Sequence, residues 1–344
     1  MMQLKIVLLF ILSWKCEALS SISVSAKSTS LATSLSGFDY ATNSKLPWSP
    51  TGYQTWNWKE NSINYIEMGD PTKPPLLLIH GFGASVYHFR YNIPILARDY
   101  HVFAFDMLGF GLSSKPLQEY PAEIWRDQTI DFIHNVIGKP TVVAGNSLGG
   151  FTALYAAASC ERDLIPACIL LNAAGTFRQD STSISEEKVS PPPKWIQSLQ
   201  SSFERFVLGL SFLYTQQPAR IEQVLKQVYP VLSHQVDDEL IESIQLPSRD
   251  PNASEVFYQI VSKSVRRSTY IDDLLSKLNG RPILLCWGEN DPWIRPAAAD
   301  KIQSLYGNDN YCKRVSIDAG HCPHDEAPEA VNQAIREFLA EFDL

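Results

Sequence analysis

Ser147, Asp291 and His321 occur in the order serine, acid, histidine, and those residue types in that order describe acyl transfer through an activated hydroxyl. A serine hydroxyl is a weak nucleophile until a neutral imidazole takes its proton, which assigns His321 as general base. Asp291 on the far side of the ring then holds the imidazole tautomer and stabilises the imidazolium that forms. The negative oxygen of a tetrahedral intermediate needs preorganised N–H donors. One is the backbone N–H of Leu148, directly after the serine. The second is assigned to the N–H of Phe82, in the loop His80-Gly81-Phe82-Gly83.

Each of these residues requires an element to hold it. The apolar run Thr141–Ala144 reads as a strand, meets Gly145-Asn146-Ser147-Leu148-Gly149-Gly150 and passes into an alanine-rich helical stretch. G-x-S-x-G between a strand and a helix is a sharp turn that forces the serine into strained backbone, while the flanking glycines let the chain bend and the helix pack close. Pro282–Trp287 reads as a buried parallel strand ending in Gly288-Glu289-Asn290-Asp291-Pro292. Arg314–Ile317 reads as another and runs into Asp318-Ala319-Gly320-His321, and Leu76–Ile79 precedes the Phe82 loop. All these residues therefore follow strand ends on one edge of one sheet, where open α/β sheets carry their functional groups.

Other residues compete for these roles. Glu289 is a rival acid, but Asp291 is better placed after the strand. Asp318 is close enough to His321 to end a strand or cap a turn. His324 shares the loop of His321 and is read as making a structural hydrogen bond, with a substrate contact as the alternative. His80 is read as a brace for the oxyanion loop, and Asp106 with Gly109-Phe110-Gly111 as a turn after the strand His101–Phe105. His88, His101, His134 and His234 show no metal-ligand spacing, so no metal is expected. Cys322, beside the base, reads as structural.

HGFGAS (His80–Ser85), DMLGFGLS (Asp106–Ser113), GNSLGG (Gly145–Gly150), WGENDPW (Trp287–Trp293) and AGHCPHDEAPE (Ala319–Glu329) together resemble an α/β-hydrolase of the plant and cyanobacterial pheophytinase and chlorophyll-dephytylase-like group. IEQVLKQVY (Ile221–Tyr229) is similar to that group as well. The resemblance runs from about Trp56 to the C-terminus. It implies an α/β-hydrolase fold, a mostly parallel, doubly covered sheet with an inserted helical lid. It also implies a serine hydrolase acting on carboxylic esters, with phytyl or other long-chain esters as the substrate class. The alternatives are other chemistries of the same triad (thioesterase, perhydrolase, acyltransferase or carbon–carbon hydrolase) and, from another class, a non-catalytic homologue that binds a small molecule. No cofactor is expected.

The element pattern divides the chain accordingly. Residues 56–174 and 279–344 form the hydrolase core, and 175–278 the lid between two core strands. Within the lid, Gly175–Ser190 is mostly polar, Pro191-Pro192-Pro193 is a stiff lead-in, and helical segments follow to about Leu278. Phe206–Tyr214 is the most apolar part. It either lines a pocket for a long hydrophobic substrate, touches a membrane surface, or packs as a plain helix on the core. Such a lid favours a small lipophilic ester over sugars or charged metabolites.

The 344 residues are 45% hydrophobic and 19% charged, enough for a large core. A net charge of −8 without a basic cluster argues against a nucleic-acid partner. The G-x-G fragments at Gly81 and Gly109 do not complete a dinucleotide motif, and the six cysteines form no C-x-x-C pair or small-domain disulfide framework. Residues 1–55 read as presequence and linker. Met1–Lys5 is short and basic, Ile6–Trp14 is apolar but too short to span a bilayer, and Cys16-Glu17-Ala18 offers a cleavage site. Leu19–Gly37 is rich in serine and threonine and lacks acidic residues, as transit peptides do. The order resembles the bipartite presequence of algae whose plastids lie inside endomembranes, and directs the chain to the plastid. The alternative is plain secretion ahead of a linker. Asn252-Ala253-Ser254 is a glycosylation sequon exposed to modification on either route.

Overall fold

A computed structural model describes residues 38–178, 209, 211–263, 269–307 and 311–344. The presequence through Gly37, the Pro191-Pro192-Pro193 lead-in, most of the polar stretch before it, and Phe206–Leu208 with Leu210 lie outside the described residues.

Eight strands form one sheet: β1 (Gln54–Trp58), β2 (Asn61–Met68), β3 (Pro75–Ile79), β4 (His101–Phe105), β5 (Val142–Asn146), β6 (Cys168–Leu171), β7 (Ile283–Gly288) and β8 (Cys312–Ile317). Their order is β1-β2-β4-β3-β5-β6-β7-β8. β1, β2 and β4 pair antiparallel, and every later pairing is parallel. The helices used below are α1 (Ala122–Phe132), α2 (Leu148–Ala157), α3 (Pro218–Val228), α4 (Asp238–Ser248), α5 (Ala253–Lys263), α6 (Ile271–Leu275), α7 (Ala297–Tyr306) and α8 (Pro328–Glu341).

The central strands β4 to β7 are buried at every position, and apolar at nearly all of them, because both faces are covered. Alternate side chains enter two separate cores. Leu77, Ile79, Val143, Leu170, Leu285 and Trp287 join the cluster under α1 and α2. Leu76, Leu78, Val142, Ala144, Ile169 and Leu284 join the one that contains Val331, Ile335 and Phe338 of α8. The registers Ile79↔Gly145, Asn146↔Leu171 and Gly288↔Ile317 align the carboxyl ends of β3, β5, β6, β7 and β8 on one edge. α3, α4 and α5 lie in the chain between β6 and β7. Ile221, Leu225 and Val228 of α3 pack with Tyr229, Leu240 and Cys322 in a third cluster, which joins these inserted helices to the loop after β8.

The described chain is folded earlier than the expected linker boundary. β1 begins at Gln54, and Leu46 is fully buried among the α8-side core, its N–H donating to Arg90 O (2.8 Å). Phe38, Tyr40, Trp48 and Tyr53 pack against the same core, but apolar residues scattered through a polar stretch give no sustained periodic signal, so only the tertiary contacts reveal it. No described helix is long and apolar enough to cross a membrane.

Candidate active site

Ser147 sits between β5 and α2 at φ 52°, ψ −115°, a conformation that L-residues disfavour. Two features hold it there. Its N–H donates to Leu171 O (3.0 Å), and its carbonyl accepts from Phe151 and Ala174. The turn also requires close approach of α2 to the sheet: a Cβ on Gly149 would meet Ile79 O at 2.1 Å. Gly81 is constrained similarly, since a Cβ there would meet Asn146 Oδ1 at 2.9 Å and Ser147 Cβ at 3.3 Å. The backbone of the His80–Gly83 loop thus runs beside the serine, and Phe82 and Leu148 line the same cavity as Ser147. Leu148 opens α2, so its N–H is one of those without an intrahelical acceptor.

Asp291 and His321 come from the β7 and β8 loops. His321 Nδ1–H donates to Asp291 Oδ2 (2.7 Å), both residues being only 4% exposed. Asp291 is held from three further directions. Asn172 Nδ2 donates to Oδ2 (2.8 Å), and the N–H groups of Trp293 and Ile294 donate to Oδ1 (2.7 and 3.0 Å). Asn172, at φ 43° after β6, also accepts the N–H of Gly288 (2.8 Å) and so ties the ends of β6 and β7 together. His321 is anchored by its own N–H to Val228 O (3.0 Å) and by its carbonyl, which accepts from Asn146 Nδ2 (2.9 Å). The Trp293 ring lies 4.9 Å from the imidazole. Glu326, fully buried, accepts three backbone N–H groups: Gly320 on one oxygen, Val231 and Leu232 on the other.

The rival acids fall elsewhere. Glu289 is exposed and pairs with Arg314 (3.1 Å), and Asp318 is exposed and accepts from Asn290 (2.9 Å). His80 donates from Nδ1 to Gly81 O (2.7 Å), leaving Nε2 to accept Met107 N–H (3.0 Å), so it does brace its loop. Asp106 braces the next turn, taking N–H groups from Val86 and Leu112 (2.7 Å each) and Asn64 Nδ2 (2.8 Å). Burial pushes the Cys322 thiol well up, which suits a structural role. Among the described residues no group of three His, Cys, Asp or Glu side chains is placed to hold a metal ion.

His324 departs from expectation. It is fully buried, yet neither ring nitrogen has a hydrogen-bond partner; its ring packs instead on Phe89 (4.6 Å) and His88 (5.3 Å). His88 is likewise a core residue, bonded through Nε2 to Tyr229 Oη (2.9 Å). Tyr229 donates to Asp325 (2.8 Å), which Arg90 also grips (2.8 Å), and Arg90 reaches Asp237 at the start of α4 (2.6 Å). Sequence reading missed this chain of contacts because its members are distant in the sequence. Asn172 carried a usable signal, since it too follows a strand end.

These buried imidazoles predict acid lability. Burial holds His80 below its ordinary value, pushes His88 down to about 3 and His324 well below 6.5. The unfolded chain then takes up protons near pH 6.5 that the folded chain refuses, so stability is complete above that pH and declines as the pH falls below it. Asp325 acts oppositely, because burial raises its carboxyl to about 6 against the pull of Arg90, but it is one group against three. Urea midpoints should therefore drop clearly between pH 7.5 and pH 5. His324→Phe should recover part of that loss while costing under about 1 kcal/mol at pH 7.5, since it removes no hydrogen bond. A midpoint independent of pH over this range would refute the reading.

Comparison with known proteins identifies the family and the fold. Residues 74–328 match the family described as alpha/beta hydrolase fold. The chain is 31% identical over 318 residues to the chloroplastic pheophytinase of Arabidopsis thaliana, covering 82% of this chain and 65% of that protein, just under two thirds of its length. It is 25% identical over 283 residues to epoxide hydrolase 3 of Xenopus tropicalis, covering 81% of this chain and 75% of that one. Among solved structures, a bacterial membrane phospholipase A superposes with a TM-score of 0.64 at 26% identity, covering 83% of this chain and 85% of the other.

Proposed function

The chain belongs to the α/β-hydrolase family, and on that premise we propose that it is a serine hydrolase cleaving carboxylic esters of a lipophilic acid or alcohol, phytyl and other long-chain esters being the substrate class. The observation that carries this reading is the buried Asp291–His321 hydrogen bond opening on the cavity that also contains Ser147. In the proposed cycle Ser147 Oγ attacks the ester carbonyl as His321 takes its proton. The carbonyl electrons move to an oxyanion facing the N–H groups of Leu148 and Phe82. His321 then returns the proton to the departing alcohol, and a water deprotonated by the same imidazole hydrolyses the acyl-enzyme. Asp291 accepts the Nδ1–H throughout and so presents the bare Nε2 to the hydroxyl. An epoxide hydrolase attacks with a carboxylate from the elbow, and Ser147 stands where that carboxylate would be. A fluorophosphonate probe should label Ser147 and nothing else. A panel of phytyl, acylglycerol and short aryl esters should show turnover favouring the long apolar members. Absence of both labelling and ester turnover would overturn the proposal.

The cavity, about 300 Å³, supports the lipophilic part of the reading. Ile221, Leu225, Val256, Ile260 and other apolar side chains of α3 and α5 line it. An aromatic series leads from the inserted helices to the oxyanion loop, with Phe212–Phe257 at 5.3 Å, Phe257–Phe82 at 5.9 Å and Phe82–Phe110 at 5.5 Å between ring centres. Within the apolar segment singled out from the sequence, Phe212 faces this cavity while Leu213 is 54% exposed. Phe212→Ser should therefore erode preference for long-chain over acetyl esters by about tenfold or more, because buried apolar surface contributes about 25 cal/mol per Å². Leu213→Ser should leave that preference unchanged. A chain-length series of kcat/KM values checks both, and equal effects of the two substitutions would assign the segment to scaffold.

The plastid is the proposed destination, supported by the presequence composition and by the chloroplastic relative. Residues 1–55 fused to a fluorescent protein should enter plastids in an algal host; release into the medium would favour secretion.

A further inference from the structure

Lys115 is the one lysine, arginine, aspartate or glutamate, among the described residues, that lines the cavity with Ser147. It is 8% exposed, and its Nζ donates to Gly111 O (2.6 Å) and Ser113 O (3.2 Å). Both acceptors are neutral carbonyls. Among the described residues no carboxylate lies within ion-pair distance, and Asp250 and Asp106 act on it only from farther away. Burial lowers its pKa despite them, as expected for an ammonium removed from water without a counter-ion. Such a charge is costly unless something compensates it, and two carbonyl dipoles do so only in part. The ammonium has three N–H groups and two are accounted for.

Its location gives that third donor a use. Lys115 belongs to the turn whose Phe110 packs on Phe82, and its carbonyl accepts from Asn252 Nδ2 (3.0 Å) just before α5. It therefore stands where the core turn meets the inserted helices, on the wall of the cavity that holds Ser147.

We infer that Lys115 forms an anion subsite within the catalytic cavity, so that the preferred ligand is a lipophilic ester carrying an anionic oxygen, a carboxylate or a phosphate, away from its scissile bond. This rests on the ester-hydrolase reading of the same cavity but makes a separable claim. The apolar walls accommodate the body of the ligand and contribute most of the burial. Lys115 fixes which end enters and at what depth, because a desolvated ammonium forms a strong charge-assisted bond with an anion and none with a methyl group.

The full chain is tested with three long-chain esters of equal length, ending in a carboxylate, a phosphate or a methyl group. Ser147→Ala protein reports affinity by titration calorimetry without turnover, so a failure of the hydrolase reading does not obscure this measurement. The anionic members should bind about 10- to 100-fold tighter than the methyl-ended ester, and whichever of the two anions binds tighter identifies the source. In active protein the ratio of kcat/KM for the anionic over the methyl-ended ester should fall about tenfold or more in Lys115→Met. It should fall in Lys115→Gln as well, which keeps an N–H donor but not the charge. Equal binding of all three esters by Ser147→Ala protein would overturn the inference whether or not the Lys115 variants fold. An unchanged ratio in folded Lys115→Met would overturn it too.

Discussion

Ser147→Ala protein should lose ester turnover by several orders of magnitude while melting within a few degrees of the parent. The activity loss follows from removing the only hydroxyl at the elbow, leaving the oxyanion donors and the cavity to supply whatever residual catalysis persists. Unchanged melting follows from the backbone. Alanine keeps the Cβ and hence the strain of φ 52°, ψ −115°, and its Cβ occupies space the serine Cβ already occupied. Ser147→Gly makes the complementary case. Glycine visits positive φ freely, so the substitution relieves strain of about 1–3 kcal/mol and gives back about 0.5–1 kcal/mol through greater freedom of the unfolded chain. The glycine variant should thus be inactive yet equal to or more stable than the parent. Activity assays and thermal melts on both variants check this. A folded Ser147→Ala enzyme with near-parental rate would remove the mechanism, and a Ser147→Gly protein much less stable than the parent would remove the strain argument.

That strain was itself legible in the chain. Glycines two residues either side of a serine, between an apolar run and a helix former, require the sharp turn, so the elbow was legible at Gly145–Gly149. The parallel strands were legible too, because burial on both faces makes them continuous apolar runs; His101–Phe105 has the same limits in the sequence reading and in the sheet. Legibility ends where a residue's neighbours are set by tertiary packing. His324 looked like a hydrogen-bonding residue because histidines usually are, and nothing local says that Phe89 and His88 flank it. Leu46 looked like linker for the same reason.

The ion pairs illustrate this most fully. Arg90 bonds Asp325 in the loop of His321, Asp237 at the start of α4 and the carbonyl of Gln235, which places one buried guanidinium across the joint between the core and the inserted helices. Glu326 spans the same joint through backbone N–H groups on both sides. Arg90 and Asp325 are 235 positions apart, so no spacing rule pairs them. Yet they bear on the proposed chemistry, since the loop they hold carries His321, the proposed base. The same sequence distance hides Lys115 from any motif: its placement in the cavity that Ser147 also lines depends on how α5 and the Gly109–Gly111 turn meet.

Asp291→Asn should lower kcat by up to about 10⁴ while Glu289→Gln leaves it near the parental value, and the hydrogen bonds explain why the first effect is so large. An asparagine amide can take two orientations. With oxygen toward Trp293 and Ile294, it keeps the two N–H bonds that Oδ1 now accepts but turns its NH₂ toward His321 and Asn172, both donors. The reverse orientation satisfies His321 but sets NH₂ against two backbone N–H groups fixed by the loop. The imidazole can adapt by moving its proton to Nε2, whereas backbone amides cannot, so the first orientation wins. His321 then meets Ser147 with a protonated nitrogen and cannot accept the hydroxyl proton. The loss should appear in kcat more than in KM, because the substrate cavity is untouched. Since the amide also takes the short acceptor from Asn172 Nδ2, which keeps only its long bond to Gly288 O (3.4 Å), the variant should lose about 1 kcal/mol of stability, measurable by urea denaturation. Glu289, paired with Arg314 at the exposed edge, has no path to the imidazole. A mild Asp291→Asn beside a crippled Glu289→Gln would reverse the assignment of the acid.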